Sequence, residues 1–234
     1  MVSIGNLTAA GLWVGSVKAD FAFIGNKQVW EATPPGPTYE GLKFTALSAG
    51  STVSLVRDGS APTVYLQYST DGSNWDDYTT GASITLSNVG DYVCFKATTT
   101  NAKFGGSGNS DRNRFAGTGQ LKVSGNINSL LDGENYNSLL DISGQDRILQ
   151  FLFIGNTALV DAEDLLLPAT KITGWAYCNM FEGCTSLVKG PKEISATDMS
   201  NSQNWPIASM FYNCSALLDG PHIKATSFPN YCCW

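Results

Sequence analysis

The sequence predicts a mainly β protein built of an N-terminal β-hairpin or meander, an immunoglobulin-like β-sandwich and a short solenoid of repeats. Three observations carry that expectation. Charged residues make up only 15% of the 234-residue chain, against roughly 25% in an average domain, and Ser, Thr, Asn and 24 Gly take their place. From residue 41 to 124, short apolar segments recur about every ten residues with turn signals between them. Near the end, a nine-residue pattern beginning at Met180 returns at Met210, and a fixed period in the range of about 20 to 50 residues marks stacked repeats.

The opening segment shows Ile4-Gly5-Asn6, Val14-Gly15-Ser16 and Ile24-Gly25-Asn26 at even spacing. Phe21 to Ile24 and Lys27 to Trp30 read as strands around an Ile-Gly-Asn-Lys hairpin turn. Residues 1–33 are therefore expected to form a β-meander too small to bury a core alone. Its apolar residues Trp13, Phe23, Val29 and Trp30 are the expected assembly interface. Pro34-Pro35-Gly36-Pro37 follows, and such a run favours extended polyproline backbone, so 34–40 reads as a semi-rigid linker.

Strands are expected at Leu42–Leu47, Thr52–Val56, Thr63–Ser69, Ser83–Leu86, Gly90–Ala97 and Gly119–Val123, giving a sandwich over 41–124. Asp71-Gly72-Ser73-Asn74 reads as a turn and Lys103–Gly119 as a long exposed loop, rich in Gly, Ser and Asn. Residues 125–150 form a connecting or capping segment, with helical turns expected at Ile127–Leu131 and Ser138–Asp141.

Residues 151–234 repeat. Met180-Phe181-Glu182-Gly183-Cys184-Thr185-Ser186-Leu187-Val188 matches Met210-Phe211-Tyr212-Asn213-Cys214-Ser215-Ala216-Leu217-Leu218, and Phe153 to Val160 is a weaker copy. The second halves match too, at Ala169-Thr170, Ala196-Thr197 and Ala225-Thr226. The expected repeat core is Phe153, Leu159, Phe181, Cys184, Leu187, Phe211, Cys214 and Leu217, with Cys as a small buried apolar residue. Tyr231-Cys232-Cys233-Trp234 aligns with the start of a further unit, so Cys232, Cys233 and Trp234 are expected at a covered solenoid end.

The Met-Phe-x-x-Cys-x-x-Leu unit with its later Ala-Thr resembles the BspA-type (Treponema-like) leucine-rich repeat of gut-bacterial surface proteins and of virion proteins of their phages. Ile24-Gly25-Asn26-Lys27-Gln28-Val29-Trp30 is similar to the short hairpin that begins many phage structural proteins. Tyr68 to Trp75 with Gly125 to Leu131 resembles the sandwich that precedes such repeats in Bacteroidales phages, crAss-like phages among them. The resemblance implies a virion fibre, decoration or host-contact protein, assembled in the bacterial cytoplasm with other virion proteins in many copies. A host-surface glycan or protein is the further partner it implies. With two to three repeats, where adhesive arrays have more, a structural role is favoured over receptor binding.

Composition excludes other classes. A net charge of −6 with scattered Lys and Arg argues against nucleic-acid binding, which needs a basic patch. No apolar run approaches the roughly 18 residues of a membrane span, so no membrane insertion is expected. The N-terminus lacks a basic region followed by an apolar stretch, so no secretory signal is expected. No metal or cofactor is expected, because no Cys-x-x-Cys occurs and His222 is the sole His. His222 is placed at an exposed repeat turn, which argues against a hydrolytic triad. Asp76-Asp77 and Asp161, Glu163, Asp164 are the dense carboxylates, and Trp13, Trp30, Trp75, Trp175 and Trp205 are the rings that sugars would stack on. The chain is therefore expected to be non-enzymatic.

Overall fold

The structure is a computed structural model that describes residues 13–14, 17–18, 21–24, 27–31, 39–101, 103–199, 205–229 and 232. Two compact units divide the chain, residues 1–38 and 39–234. The first contains two hairpins: β1 (Trp13–Val14) pairs with β2 (Val17–Lys18), and β3 (Phe21–Ile24) with β4 (Lys27–Glu31). The register shifts between Ala22 and Phe23, as a β-bulge does. The interface role expected of the Trp13, Phe23, Val29 and Trp30 side chains lies outside what is described, as do Pro34–Pro37, Cys233 and Trp234.

The second unit is mainly β, with mixed and antiparallel sheets and almost no helix. β5 (Lys43–Ala46), β6 (Ser51–Asp58), β7 (Leu66–Ser69), β8 (Asp76–Tyr78), β9 (Ser83–Leu86) and β10 (Tyr92–Ala97) follow in order. β11 (Arg112–Thr118) and β12 (Leu121–Asn126) complete the region before the repeats. β13 (Leu159–Asp161), β14 (Leu165–Leu166), β15 (Glu193–Ile194) and β16 (His222–Ile223) belong to the repeats themselves.

One sheet runs β13-β12-β5-β10-β7-β8, with β14 also on β12, and another runs β11-β6-β9. Period-two alternation builds both: Ser51, Val53 and Leu55 of β6 and Phe44 and Ala46 of β5 turn inward. The buried faces meet at rings, Phe44 and Phe95 each lying 5.0 Å from Phe115 between centroids. The core continues without a break from Leu42 to the repeat residues Phe153, Phe181 and Leu187. β12 is antiparallel to β5 on one side and parallel to β13 and β14 on the other, so the expected divisions at 124 and 150 fall inside one unit.

Lys103–Gly119 is not the exposed loop the sequence suggested. Phe104 is fully buried, and β11 pairs with β6 along seven registers from Arg112–Asp58 to Thr118–Thr52. The alternation was hidden because an inward position holds Asn113, whose amide donates to the carbonyls of Pro62 (2.9 Å) and Phe104 (3.1 Å). Asp76–Tyr78, after the expected Asp71–Asn74 turn, is a strand paired with β7. Ile127–Leu130 forms a 3₁₀ turn, capped where Asn126 Oδ1 accepts from the Asn128 amide. Ser138–Asp141 does not coil into a helical turn; Asp141 instead bridges in parallel to Lys171. Among the described residues no helix is long and apolar enough to cross a membrane.

Candidate functional site

The repeats fold through one backbone device used three times. Positive φ recurs at every fourth residue: Arg147, Phe151 and Gly155; Trp175, Asn179 and Gly183; Trp205, Ser209 and Asn213. Between these positions, i→i−3 turn bonds close on themselves, as from Met180 to Tyr177 and from Cys184 to Phe181. The remaining amides point along the stack. Leu149, Phe151, Phe153 and Gly155 donate to the carbonyls of Ala176, Cys178, Met180 and Glu182 at 2.7–3.2 Å. Tyr177, Asn179, Phe181 and Gly183 donate in turn to Pro206, Ala208, Met210 and Tyr212 at 2.8–3.0 Å. Every ribbon thus shows donors to the following repeat and acceptors to the preceding one. The αL backbone costs about 1 kcal/mol or more at a non-glycine residue such as Trp175, and it persists because the ladder fixes it on both sides.

Side chains repeat with the backbone. Phe115, Phe153, Phe181 and Phe211 stack with centroids 6.2, 5.1 and 5.3 Å apart. A donor slot lies beside them: Asn156 Nδ2 donates to Phe115 O (3.2 Å), Cys184 Sγ to Phe153 O (3.0 Å) and Cys214 Sγ to Phe181 O (3.0 Å). Burial, the largest influence, pushes the Cys184 thiol up to about 12 and that of Cys214 to about 11. Both stay protonated at neutral pH, as donors must, and neither is a thiolate nucleophile. Phe115 belongs to β11, so the preceding sheet serves as the lowest rung.

The expected repeat core is brought together. Phe153, Leu159, Phe181, Cys184 and Leu187 are completely buried, whereas Phe211, Cys214 and Leu217 at the far end are only partly covered. Cys232 is buried and its Sγ lies 3.6 Å from Met199 Sδ. Among the described residues Cys94, Cys178, Cys184 and Cys214 are free thiols.

Charge alternates along the parallel bridges. Lys122 pairs with Asp161, Asp161 with Lys189, and Lys189 with Asp219. Around this column Lys122 reaches Asp164 (2.6 Å), Lys189 reaches Glu163 (2.9 Å) and Lys192 reaches Asp164 (3.1 Å). The Lys122 and Lys192 ammonium groups hold the Asp164 carboxyl below its ordinary value, and Lys189 does the same for Glu163. The dense carboxylates Asp161, Glu163 and Asp164 are thus lysine partners in a scaffold. Asp76 and Asp77 lie exposed on β8, and His222 is exposed on β16. Among the described residues no cluster of His, Cys, Asp and Glu could hold a metal.

Among the described residues, two clefts adjoin the stack. One, of ≈ 380 Å³, has Asn109, Gln150, Asn179 and Trp205 in its wall beside Trp175, whose ring lies 4.3 Å from the Arg147 guanidinium. The other, of ≈ 820 Å³, lies at the far end against Phe211. Trp75 instead packs on Tyr39 (4.7 Å) and beneath Lys96 (4.7 Å).

Phe115, Asn156 and Lys122 escaped the sequence reading. Asn156 was findable, since Gly155-Asn156 aligns with Gly183-Cys184, but Phe115 and Lys122 lie in strands that share no pattern with the repeats. Searches against family models, curated proteins and solved structures match nothing.

Proposed function

We propose that the chain is a structural component of a phage virion, a head-fibre, decoration or tail-associated protein that acts by protein–protein assembly. In this reading residues 41–124 are an immunoglobulin-like β-sandwich, 151–234 a short BspA-type leucine-rich-repeat solenoid, and 1–33 an anchor to neighbouring virion proteins. The protein is present in many copies, is assembled in the host cytoplasm and carries no catalytic step. The observation that supports it best is the repeat stack seated on β11 and β12, with Asp161, Glu163 and Asp164 paired to Lys122, Lys189 and Lys192 across successive rungs. Such a surface is built to hold shape, and its partly covered end offers somewhere to attach. Mass spectrometry of purified particles from a gut Bacteroidales host tests it. Many copies per particle are expected; absence from particles, with the protein in the bacterial outer-membrane fraction, overturns the reading.

A second reading, a cell-surface adhesin or glycan-binding module, is favoured by one observation. Trp175 and Trp205 stand beside the amides of Asn109, Gln150 and Asn179 around the smaller cleft, the mixture of ring faces and hydrogen-bonding groups that sugars use. Binding on a glycan array that disappears in Trp175→Ala is the result expected of it.

A further inference from the structure

What the upper face of a repeat binds is visible inside the chain, because the contact is made by residues 147–155 and again by 175–183. Each time the incoming ribbon supplies a row of carbonyls, a ring for the phenylalanine stack and a side-chain donor for the phenylalanine carbonyl. The charge column alternates, Lys189 following Asp161 and Asp219 following Lys189.

At Ile207, Phe211 and Asn213 the last ribbon presents the same face. Among the described residues the amides of Ile207, Phe211 and Asn213 have no acceptor, although their equivalents Tyr177, Phe181 and Gly183 are all bonded. The Phe211 carbonyl accepts from the Cys214 amide but, among the described residues, meets no side-chain donor, unlike those of Phe153 and Phe181. The charge column ends on exposed Asp219. The larger cleft opens here, walled by Ile194, Ile207, Phe211 and Ile223.

We infer that this end face docks a segment of another polypeptide shaped like the repeat itself. That segment presents carbonyls at alternate residues, lays an aromatic ring on Phe211 and sets a basic side chain beside Asp219. The inference rests on the assembly reading for the partner's being a protein, and gives that assembly a chemistry. A second copy of the chain does not meet the requirement. Two such ends would place donors against donors, and the chain's own acceptor row is taken by the amides of Phe104 (to Ile148, 2.7 Å), Gly105 (to Arg147, 3.0 Å) and Phe115 (to Leu152, 2.7 Å). Parallel pairing with the full complement of main-chain bonds is the mode in which an exposed edge captures a strand.

The test is a titration of the full chain with a labelled peptide of the Trp175–Asn204 sequence, which already supplies Phe181 and Lys189 to the ribbon below. Saturable binding is expected by fluorescence anisotropy, with slower hydrogen exchange at the Phe211 and Asn213 amides. Phe211→Asp in the protein and Phe181→Ala in the peptide each weaken binding about tenfold or more, since either removes a buried ring contact. Asp219→Lys weakens the natural peptide and restores a Lys189→Glu peptide; this surface change carries the test should Phe211→Asp fail to fold. The inference is overturned by an absence of saturable binding, or by binding indifferent to both protein variants. It is equally overturned if both amides are already protected in the isolated chain, or become so as a dimer forms with concentration; the chain's own end or a second copy then covers the face. Peptide binding without presence in particles removes the virion reading alone, and presence in particles without peptide binding removes this inference alone.

Discussion

At Cys184 a single side chain joins two roles that the sequence shows only in part. Its place in Met-Phe-x-x-Cys-x-x-Leu marks a small buried residue, and it is buried. Its hydrogen bond to Phe153 O could not be read, because nothing in the sequence says that this carbonyl turns toward the next repeat. Cys184→Ala removes both the donor and packed volume, and a loss of about 1–2 kcal/mol is expected in denaturant unfolding. Cys214→Ala, at the half-covered end, costs less. The thiols also set an alkaline limit. Cys94, Cys178 and Cys214 are raised to about 11 and Cys184 to about 12, from 9.0, chiefly by burial. A raised folded value means that their contribution is whole below pH 9 and declines as pH climbs from there to 12. The melting temperature followed by circular dichroism is therefore flat through neutral pH and falls above 9, less steeply in Cys184→Ala.

Among the elements, β11 separates what patterning reveals from what it hides. β5, β6, β9 and β10 were legible because their inward positions are apolar or small. β11 was not, because Asn113 occupies an inward position and glycines precede it. Yet β11 supplies Phe115, the floor of the ring stack, which touches Phe44, Phe95 and Phe153. Phe115→Ala is expected to cost about 3–5 kcal/mol, in a single cooperative transition that lowers the midpoint for both the sheets and the repeats. Two separate transitions, read by Trp fluorescence and far-ultraviolet circular dichroism, would contradict a shared core. The turn ribbons were half legible. Gly155, Gly183 and Asn213 are residues that tolerate positive φ, while Trp175 and Trp205 in the same conformation run against propensity and follow from the ladder alone.

On the scale of the whole molecule, the acidic balance of −6 concealed an ordered arrangement. Self-similarity located the repeats, but not that β12 is their first rung, since Lys122 enters the column from a strand with no matching motif. Lys189→Glu would set three acids in a row with Asp161 and Asp219, and like charges on neighbouring strands repel. A lower melting temperature is expected, with the deficit shrinking as salt rises; a deficit indifferent to salt would mean that the column is not electrostatic.

The one-way ladder has a mechanical consequence. Its bonds lie along the stack, so tension applied at the far end pulls each ribbon straight off the one beneath it and loads one interface at a time. β11 and β6 would instead slide past one another along seven registers, with the bonds sharing the load. Under a pull the repeats peel before the sheets give, each release adding on the order of 100 Å of slack from an extended span of about 3.5 Å per residue. Residues 39–234 thus act like a spring with a stiff foot, yielding in steps at the repeats while the sheets hold.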